Sequence, residues 1–226
     1  MKTETICIIP ARGGSKEIPK KNIVDLAGKP LIAYTIETAK QSGVFDHVYV
    51  STEDSEIAQT AKEYGAEIID RPAKLATDEA GTLSVLQHAV KDRDCDIVVL
   101  MQATSPFTTS DDVKKMVEKL KESEADSVVS LKEADYSPYW MKKIDENGKV
   151  SEFMEGGIKN YVRRQDLPKL YQLTGAIYAT RKRVLESGNI LGENTLSYLI
   201  PEERSLDIDT KFDLKVARLL KNADTN

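Results

Sequence analysis

The sequence has few of the residues on which common metal and nucleophilic sites depend. Its 226 residues include two cysteines, Cys7 and Cys95, and two histidines, His47 and His88, which are far apart. The spacing excludes a C-x-x-C pair and a disulfide framework, and it offers little to a histidine-based zinc site or a Ser-His-Asp triad. Any bound metal would therefore have to use carboxylates.

Long hydrophobic runs are also missing. No stretch reaches the ~18 apolar residues of a membrane-spanning helix, and the apolar run near the N-terminus is too short for a secretory signal. The formal net charge of -5 argues against a general binder of nucleic acid or membrane surfaces, which would spread positive charge over one face. We therefore expect a cytoplasmic protein that binds neither nucleic acid nor membranes.

The rest of the composition is that of a soluble globular protein, with 40% hydrophobic and 31% charged residues. We expect residues 1–226 to form a single domain with an appendage. Short β-branched runs alternate with amphipathic stretches, as in βαβ units. The expected strands are Thr5–Pro10, Val48–Ser51, Glu67–Ile69, Ile97–Met101, Ser127–Leu131 and Ala176–Thr180. This order predicts a doubly wound α/β fold with a mainly parallel sheet.

Apolar residues at helical spacing predict helices between these strands. The first follows Pro30, which suits a helix start, and Gly43 stands where it would stop. Further helices are expected over Ile57–Tyr64, Leu83–Val90 and Val113–Leu120. The apolar positions of the last helix are Phe212, Leu214, Val216, Ala217 and Leu220.

The regular alternation breaks between residues 133 and 173, which we call the inserted segment. It is rich in aromatic residues, among them Tyr136, Tyr139, Trp140, Tyr161 and Tyr171. A segment of this length is long for a loop in a compact domain. Two interpretations stay open from the residues alone: an arm that pairs with another subunit, or a surface β-hairpin centred on Asn147-Gly148.

A positively charged loop follows the first expected strand, in the stretch "IIPARGGSKEIPKKNI". Its charged residues are the cations Arg12, Lys16, Lys20 and Lys21 and a single acid, Glu17. Ligands of open α/β sheets bind beyond the carboxyl ends of strands, and two glycines here would let backbone N–H groups approach an anion. The Walker A and G-x-G-x-x-G patterns are absent. The loop, Arg12 to Lys21, therefore predicts an anion site of another kind, with a solvated basic turn as the alternative.

Two carboxylates near the C-terminus form a second group, in "SLDIDTKFDL". Asp207 and Asp209 alternate with apolar residues, so both point to one face of an extended segment. Mg²⁺ is bound in proteins by one or two carboxylates, with water and phosphate oxygens in its other positions. The alternative is that Asp209 and Thr210 cap the last helix, with Thr210 and Asp213 as a capping box. Capping leaves Asp207 without a role.

Both groups belong to a wider set of motifs. Together with "STEDSEIAQTAKEYGAE", "RPAKLATDEAGT", "LMQATSPF", "RRQDLP" and "TGAIY", they resemble the cytidylyltransferases that activate N-acylneuraminate and related nine-carbon acids as CMP-sugars. The resemblance runs over almost the whole chain. It implies a Rossmann-like α/β nucleotidyltransferase domain, the substrates CTP and a nine-carbon sugar acid, Mg²⁺, and a homodimer in which residues 133–173 form a dimerisation segment.

The resemblance also implies roles for individual residues. Ala11, Arg12, Gly13, Lys21, Asn22, Arg71, Ala76, Thr77 and Thr82 are expected at the nucleotide, with Arg12, Lys16 and Lys21 on the triphosphate. Gln102, Tyr178 and Arg164 are expected at the sugar acid, Arg164 reaching the partner subunit's site. Asp207 and Asp209 are the expected Mg²⁺ ligands, and Arg12, Lys16, Lys21 and Asp209 the expected catalytic residues.

Four positions depart from the family pattern. Glu17 replaces a glycine of the basic loop, and we expect its side chain to face solvent. Ala103, Thr108 and Thr174 replace a proline, an arginine and an asparagine near the expected sugar pocket. The sequence therefore predicts CMP transfer from CTP to the anomeric hydroxyl of N-acetylneuraminate or a close relative. The alternatives are legionaminate, pseudaminate or 3-deoxy-octulosonate as acceptor, a glycosyltransferase, and a nucleotide-binding module without turnover.

Overall fold

A computed structural model describes residues 4–223. The strands are β1 (Thr5–Pro10), β2 (Asp25–Leu26), β3 (Lys29–Pro30), β4 (His47–Thr52), β5 (Glu67–Asp70), β6 (Ile97–Met101), β7 (Ser127–Glu133), β8 (Lys142–Ile144), β9 (Val150–Glu152), β10 (Tyr171–Arg181) and β11 (Thr195–Leu199). The helices are α1 (Leu31–Ser42), α2 (Ser55–Glu63), α3 (Thr82–Val90), α4 (Ser110–Lys121), α5 (Gly157–Asn160), α6 (Lys182–Glu186) and α7 (Lys211–Ala223). Short 3-10 helices cover Lys21–Ile23, Ala73–Leu75, Pro138–Trp140, Arg164–Asp166 and Glu202–Arg204.

Seven strands form one central sheet in the order β11-β7-β10-β6-β1-β4-β5. Neighbouring strands are parallel except at β10, which runs antiparallel to both β6 and β7. The mainly parallel α/β sheet predicted from the sequence is thereby confirmed. The antiparallel strand β10 follows the inserted segment, whose course returns the chain to the sheet from the opposite direction.

Helices cover both faces of the sheet, as a parallel sheet requires. On one face α1, α2 and α4 pack residues such as Ile36, Ile57 and Met116 into the largest buried cluster. On the other face α3 and α6 contribute Leu86 and Leu185 to a second cluster. All five residues of β6 are buried, which explains its continuous apolar sequence.

The predicted helix boundaries are close to those observed. Helix α1 begins directly after Pro30 and ends at Gly43, whose φ of 67° is the left-handed conformation that glycine adopts without strain. In α7, however, only Leu214 and Ala217 are buried. Phe212 and Leu220 are exposed, so this helix has a second apolar side that no residue among 4–223 covers.

Strand β11 and the small β2–β3 ladder were not predicted. Strand β11 lies at the edge of the sheet and alternates half-buried with exposed residues, so its sequence shows no continuous apolar run. Strand β10 starts earlier than predicted, because Tyr171, Gln172 and Leu173 already pair with β7. A register shift then follows between Leu173 and Tyr178, around Gly175 with its φ of 78°.

The inserted segment leaves the sheet at the end of β7 and rejoins it at β10. It contains the β8–β9 hairpin, with Gly148 at φ 78° in its turn, so the predicted hairpin is present. Its exposed apolar side chains include Ile144, Val150 and Val162. The dimerisation role stays a prediction at this point.

None of the helices within residues 4–223 combines the length and apolar character needed to cross a lipid bilayer.

Candidate active site

A cleft of about 440 Å³ opens at the carboxyl ends of β1 and β6, where the sequence places the anion loop. Ten of the predicted site residues line it together: Arg12, Lys21, Asn22, Arg71, Thr77, Thr82, Gln102, Tyr178, Asp207 and Asp209. The cleft therefore unites the two groups of residues that the sequence suggested separately.

Five predicted site residues are not among those lining the cleft. Ala11 is fully buried beneath it and donates its N–H to the Ser51 carbonyl. Lys16 stands at the rim, with 79% of its side chain exposed. Gly13 lies in the basic loop, and Ala76 directly follows the 3-10 helix Ala73–Leu75.

Arg164 is the fifth of these residues and lies in the inserted segment. It is exposed and faces a separate depression beside Trp140 and Leu167. Its position does not bring it to the cleft of its own chain, which is compatible with the expected reach toward a partner subunit.

The basic loop is shaped by its backbone. Lys20 adopts φ 50°, a left-handed conformation that is uncommon for a residue with a side chain, and a 3-10 turn of Lys21–Ile23 follows. The buried Asn22 side chain donates to the Arg12 carbonyl at 2.9 Å, so it ties the two ends of the loop together. Ile18 is buried and anchors the middle of the loop. These contacts argue against a merely solvated turn.

Gly13 sits where the loop approaches the next strand. Its N–H donates to Glu53 Oε1 at 2.7 Å, and a Cβ at this position would lie 2.5 Å from an Asp54 carboxylate oxygen. A larger residue here would force the Asp54 side chain to move. The N–H that was expected to be available to an anion is thus held by a carboxylate in the described structure.

The cations of the loop are paired with acids from other parts of the chain. Arg12 and Lys16 both contact Asp78, each at 2.6 Å. Lys21 contacts Asp209 at 2.9 Å across 188 positions of sequence. Lys20 pairs with Glu56 on α2. The hydrogen bonds from Lys16 and Arg12 hold the pKa of Asp78 below its usual value.

The carboxylate segment, Arg204 to Asp209, is fixed by its own backbone and by the core. Ile208 is fully buried in the same small apolar cluster as Ile18, and its N–H donates to the Thr104 carbonyl at 2.9 Å. Because side chains alternate along an extended segment, burying Ile208 turns Asp207 and Asp209 together into the cleft.

Asp207 has the electrostatics of a carboxylate that needs a cation. Burial raises its pKa, the nearby Asp209 acts in the same direction, and a hydrogen bond from the Thr104 side chain partly offsets both. Its Oδ1 atom is buried without a hydrogen-bond partner among residues 4–223. An unpartnered buried carboxylate oxygen is costly unless something binds it.

The donor set fits Mg²⁺ better than zinc. No cluster of three or more His, Cys, Asp or Glu residues suited to a metal occurs in the described part of the chain. Two carboxylates beside an open cleft suit Mg²⁺, which leaves its other positions to water and phosphate oxygens. Asp207 and Asp209 are therefore the residues that could hold it.

The capping interpretation of "SLDIDTKFDL" is confirmed for Thr210 and Asp213, whereas the Mg²⁺ interpretation of Asp207 and Asp209 stays a prediction. Asp213 accepts hydrogen bonds from the Thr210 N–H at 2.7 Å and from its hydroxyl at 2.8 Å, which is a capping box at the start of α7. The Asp209 carboxylate takes no part in this cap and instead accepts from Lys21. Asp209 is left available for the cleft.

An ion pair between the half-buried Arg204 and the buried Asp112 anchors the carboxylate segment to α4. Arg204 contacts both oxygens of Asp112, at 2.8 and 3.1 Å, and Asp112 is fully buried. Burial acts to raise the pKa of Asp112, but hydrogen bonds from Arg204 and Thr109 outweigh it, so the pKa is lowered. This pair holds the chain three residues before Asp207.

The opposite wall of the cleft carries a buried cation. Arg71 is 7% exposed and donates to the Ser51 carbonyl at 2.5 Å. Its pKa is lowered because burial disfavours the charged form. At the inner end, burial and the charge of Asp207 raise the pKa of Tyr178.

Asp78, Thr104 and Gly175 are among the residues of the cleft wall that were not assigned from the sequence. Each lies inside a motif already recognised, "LATD", "LMQATSPF" or "TGAIY". The signal was present, but the sequence did not show that these positions face the cleft.

The four departures from the family pattern lie outside the cleft wall. Glu17 is exposed, as expected. Ala103 and Thr108 are buried. The Thr174 hydroxyl bonds with Ser130 at 2.7 Å behind the cleft. None of these residues is among those lining the cleft.

Comparison with known proteins agrees with this geometry. The family model for cytidylyltransferases matches residues 6–209. Pseudaminic acid cytidylyltransferase of Campylobacter jejuni is 38% identical over 224 residues, 96% of this chain and 96% of the relative. N-acylneuraminate cytidylyltransferase of Streptococcus agalactiae is 38% identical over 212 residues, 92% of this chain but 51% of the longer relative.

A solved structure shows the same fold. CMP:2-keto-3-deoxy-manno-octonic acid synthetase, complexed with CTP, superposes with a TM-score of 0.77 at 21% identity, covering 98% of this chain and 100% of that one. The sequence matches extend over nearly all of the chain, and the fold likeness agrees with them. The chain therefore belongs to the cytidylyltransferases, in the group of CMP-nonulosonate synthetases.

Proposed function

We propose that this protein transfers CMP from CTP to the anomeric hydroxyl of a nonulosonic acid, N-acetylneuraminate or a close relative, and releases pyrophosphate. The observation that carries the proposal is the pairing, in one cleft, of a cationic loop with two carboxylates on the opposite wall. The first suits a triphosphate and the second a divalent cation. Relatives that are named for this chemistry support it.

In the reaction, the 2-hydroxyl of the β-pyranose acid attacks the α-phosphorus of CTP in line. The new O–P bond forms as the bond from the α-phosphorus to the bridging oxygen breaks, pyrophosphate departs with that electron pair, and the hydroxyl proton is released to solvent. Negative charge moves toward the leaving oxygens in the transition state. Preorganised cations at those oxygens therefore lower the barrier.

The position of each residue in the cleft determines which part of the substrates it would contact. Arg12 and Lys16 are on the outer side, where the β- and γ-phosphates would lie. Lys21 is 17% exposed and lies deeper, so its charge acts in a drier environment and more strongly. Asp207 and Asp209 would hold Mg²⁺, which supplies further charge stabilisation to the phosphate oxygens when bound.

The remaining walls of the cleft would position the two substrates. Asn22, Arg71, Thr77 and Thr82 surround the space assigned to the nucleotide, while Gln102 and Tyr178 lie near Asp207, where the acid would be bound. The acceptor stays open among nonulosonic acids, since relatives named for pseudaminic acid and for N-acylneuraminate are equally similar at 38%.

The decisive assay uses purified protein, Mg²⁺ and CTP with N-acetylneuraminate, legionaminate, pseudaminate and 3-deoxy-octulosonate in parallel. Pyrophosphate release and the mass of a CMP-sugar are measured together. We expect both products with at least one nine-carbon acid. CTP binding without product for any acid would instead support a nucleotide-binding module without turnover.

We also propose that the inserted segment joins two copies of the chain and carries Arg164 to the partner's acid site. The support is twofold. The segment exposes apolar side chains, among them Ile144, Val150 and Val162. Arg164 also does not line the cleft of its own chain.

Mixing two inactive variants tests this proposal. Arg164→Ala and Asp209→Asn each remove a different part of one shared site, so a mixed dimer would contain one intact site. We expect exchanged subunits to recover about a quarter of wild-type turnover, because half of the dimers would be mixed and each would have one intact site. No recovery, with light scattering showing a dimer of exchanged subunits, would place Arg164 in its own chain's chemistry.

A further inference from the structure

Asp78 bridges the outer cations of the basic loop. Its Oδ1 contacts Arg12 Nη1 at 2.6 Å and its Oδ2 contacts Lys16 Nζ at 2.6 Å. The residue belongs to the turn after the 3-10 helix Ala73–Leu75, on the other side of the cleft mouth. Each carboxylate oxygen thus holds one cation that the proposed function gives to phosphate oxygens.

Carboxylates also occupy other groups of the loop that the proposed function assigns to phosphate. Glu53 accepts the Gly13 N–H at 2.7 Å, and Asp209 accepts from Lys21 at 2.9 Å. None of these acids belongs to the loop itself. In the described structure the anion site is filled by the chain's own anions.

The ion contacts of Asp78 with Arg12 and Lys16 can open and be replaced by contacts with a ligand. The side chains of Arg12, Lys16 and Asp78 are 36%, 79% and 49% exposed, so water can solvate each partner when the bridge opens. A tethered carboxylate nevertheless competes at a high local concentration, since it cannot diffuse away. Any ligand that uses Arg12 and Lys16 must displace it.

We propose that Asp78 is a built-in competitor of pyrophosphate, which returns to Arg12 and Lys16 after the reaction and so promotes release of this product. The inference rests on the proposed function. The competition acts on ligands that occupy the outer cations, namely pyrophosphate and the triphosphate of CTP. CMP has a single phosphate and does not need both outer cations, so its affinity is independent of the bridge.

Titration calorimetry of the substrate-free protein with inorganic pyrophosphate, at fixed ionic strength, measures the competition directly. Asp78→Asn keeps the size of the side chain and removes its charge. We expect this variant to bind pyrophosphate about tenfold more tightly, on the scale of two exposed ion contacts. Its affinity for CMP should be unchanged.

Charge alone could tighten binding of any anion, so two matched controls are needed. Glu79→Gln removes the same charge one position along, and Glu17→Gln removes the acid of the basic loop; both residues are exposed. We expect each to change pyrophosphate affinity by less than about twofold, since exposed charges are screened by solvent and salt. Equal effects of Asp78→Asn and Glu79→Gln, or weaker pyrophosphate binding by Asp78→Asn, would overturn the proposal.

Product inhibition gives a second readout. Pyrophosphate should inhibit Asp78→Asn at concentrations about tenfold lower than wild type, while its melting temperature stays near that of wild type because the bridge is exposed. The calorimetric result needs no turnover, so the proposed function and the role of Asp78 can fail separately. If the protein makes no CMP-sugar but Asp78→Asn still changes pyrophosphate affinity, the proposed function fails and the role of Asp78 as a competitor stands.

Discussion

The cationic half of the cleft lies on an exposed loop, whereas the carboxylate half lies on a segment fastened to the core. Lys16 is 79% exposed and its partner Asp78 is 49% exposed. Across the cleft, Ile208 is fully buried and Arg204 is paired with the fully buried Asp112. A small apolar cluster that contains both Ile18 and Ile208 connects the two halves.

This difference separates two tasks. A metal site works best when its carboxylates are held in place before binding, because no reorganisation is then needed during the reaction. A loop that must admit a triphosphate and release pyrophosphate has to exchange partners. The Arg204–Asp112 pair, whose carboxylate is buried, suits the first task, and the exposed Asp78 bridge suits the second.

Removing a carboxylate from the fixed half should have the largest effect. We expect Asp209→Asn to lower Mg²⁺-dependent turnover about a thousandfold. The melting temperature should stay close to wild type, because the Thr210–Asp213 cap remains. Steady-state kinetics across a Mg²⁺ series measures the first quantity and calorimetry the second.

Asp213→Asn is the matched control for Asp209. It weakens the cap and should lower the free energy of unfolding by about 1 kcal/mol. An Asp209→Asn variant that melted earlier but kept its turnover would show that Asp209 serves the helix cap rather than the reaction.

Lys21 is the cation nearest the fixed half, and its removal should have the next largest effect. We expect Lys21→Ala to reduce turnover at least about a hundredfold with little loss of fold. Stopped assays with saturating CTP would measure it, with Lys20→Ala as the control, because Lys20 points to Glu56 on α2. Unchanged turnover in Lys21→Ala would make the loop a basic turn without a catalytic part.

Removing the Arg204–Asp112 anchor of the carboxylate half should lower the free energy of unfolding, and the size of the loss should depend on pH. We expect Asp112→Asn to lower the free energy of unfolding by about 2 kcal/mol at pH 7, because Arg204 loses its buried partner. The folded-state pKa of Asp112 is lowered, so its contribution is complete above the unfolded pKa of about 3.9 and is lost as pH falls through the folded-state value.

Urea unfolding at pH 7, 5 and 3 would measure this dependence. The difference between wild type and Asp112→Asn should shrink toward pH 3. Asp111→Asn is the control, since Asp111 forms an exposed pair with Lys115 and should cost less than about 1 kcal/mol at any of these pH values. A constant difference at all three pH values would show that packing, and not the charge of Asp112, anchors the segment.

The smallest effect is expected at Glu17, which lies in the basic loop of the cationic half. Its side chain is exposed, so solvent screens its repulsion of phosphate. We expect Glu17→Gly to lower the KM for CTP by less than about threefold, the scale of one exposed charge. Glu17→Gln separates charge from backbone freedom, and a tenfold change in both variants would mean that Glu17 contacts the nucleotide.

Much of the fold could be predicted because its signals are local. The apolar run of β6 and the Pro30–Gly43 boundaries of α1 follow from residue preferences over a few positions. Strand β11 was missed, since an edge strand with a half-exposed pattern looks like a loop. The exposed Phe212 was predicted as part of an apolar face, because periodicity does not tell which of two faces is covered.

In the site, too, the residues predicted from the sequence are those with local signals, and the residues missed are those that depend on long-range contacts. Asp207 and Asp209 were found from their alternation and the cations from their density in one loop, both local features. Asp78 was missed because its importance depends on contacts with Arg12 and Lys16, more than sixty positions earlier. Asp112 was missed because its sequence position suggests only a helix-capping acid, whereas the structure shows that it also accepts hydrogen bonds from the distant Arg204 and Tyr198.

The sequence by itself determined the α/β alternation, the family and the chemical character of both halves of the cleft, since each depends on residue types at short spacing. The tertiary structure alone decided that Lys21 and Asp209, 188 positions apart, lie 2.9 Å from one another. It also decided that the loop's cations are held by acids from distant parts of the chain. Such contacts arise when the sheet and its helices close around one core, and no short stretch of sequence records them.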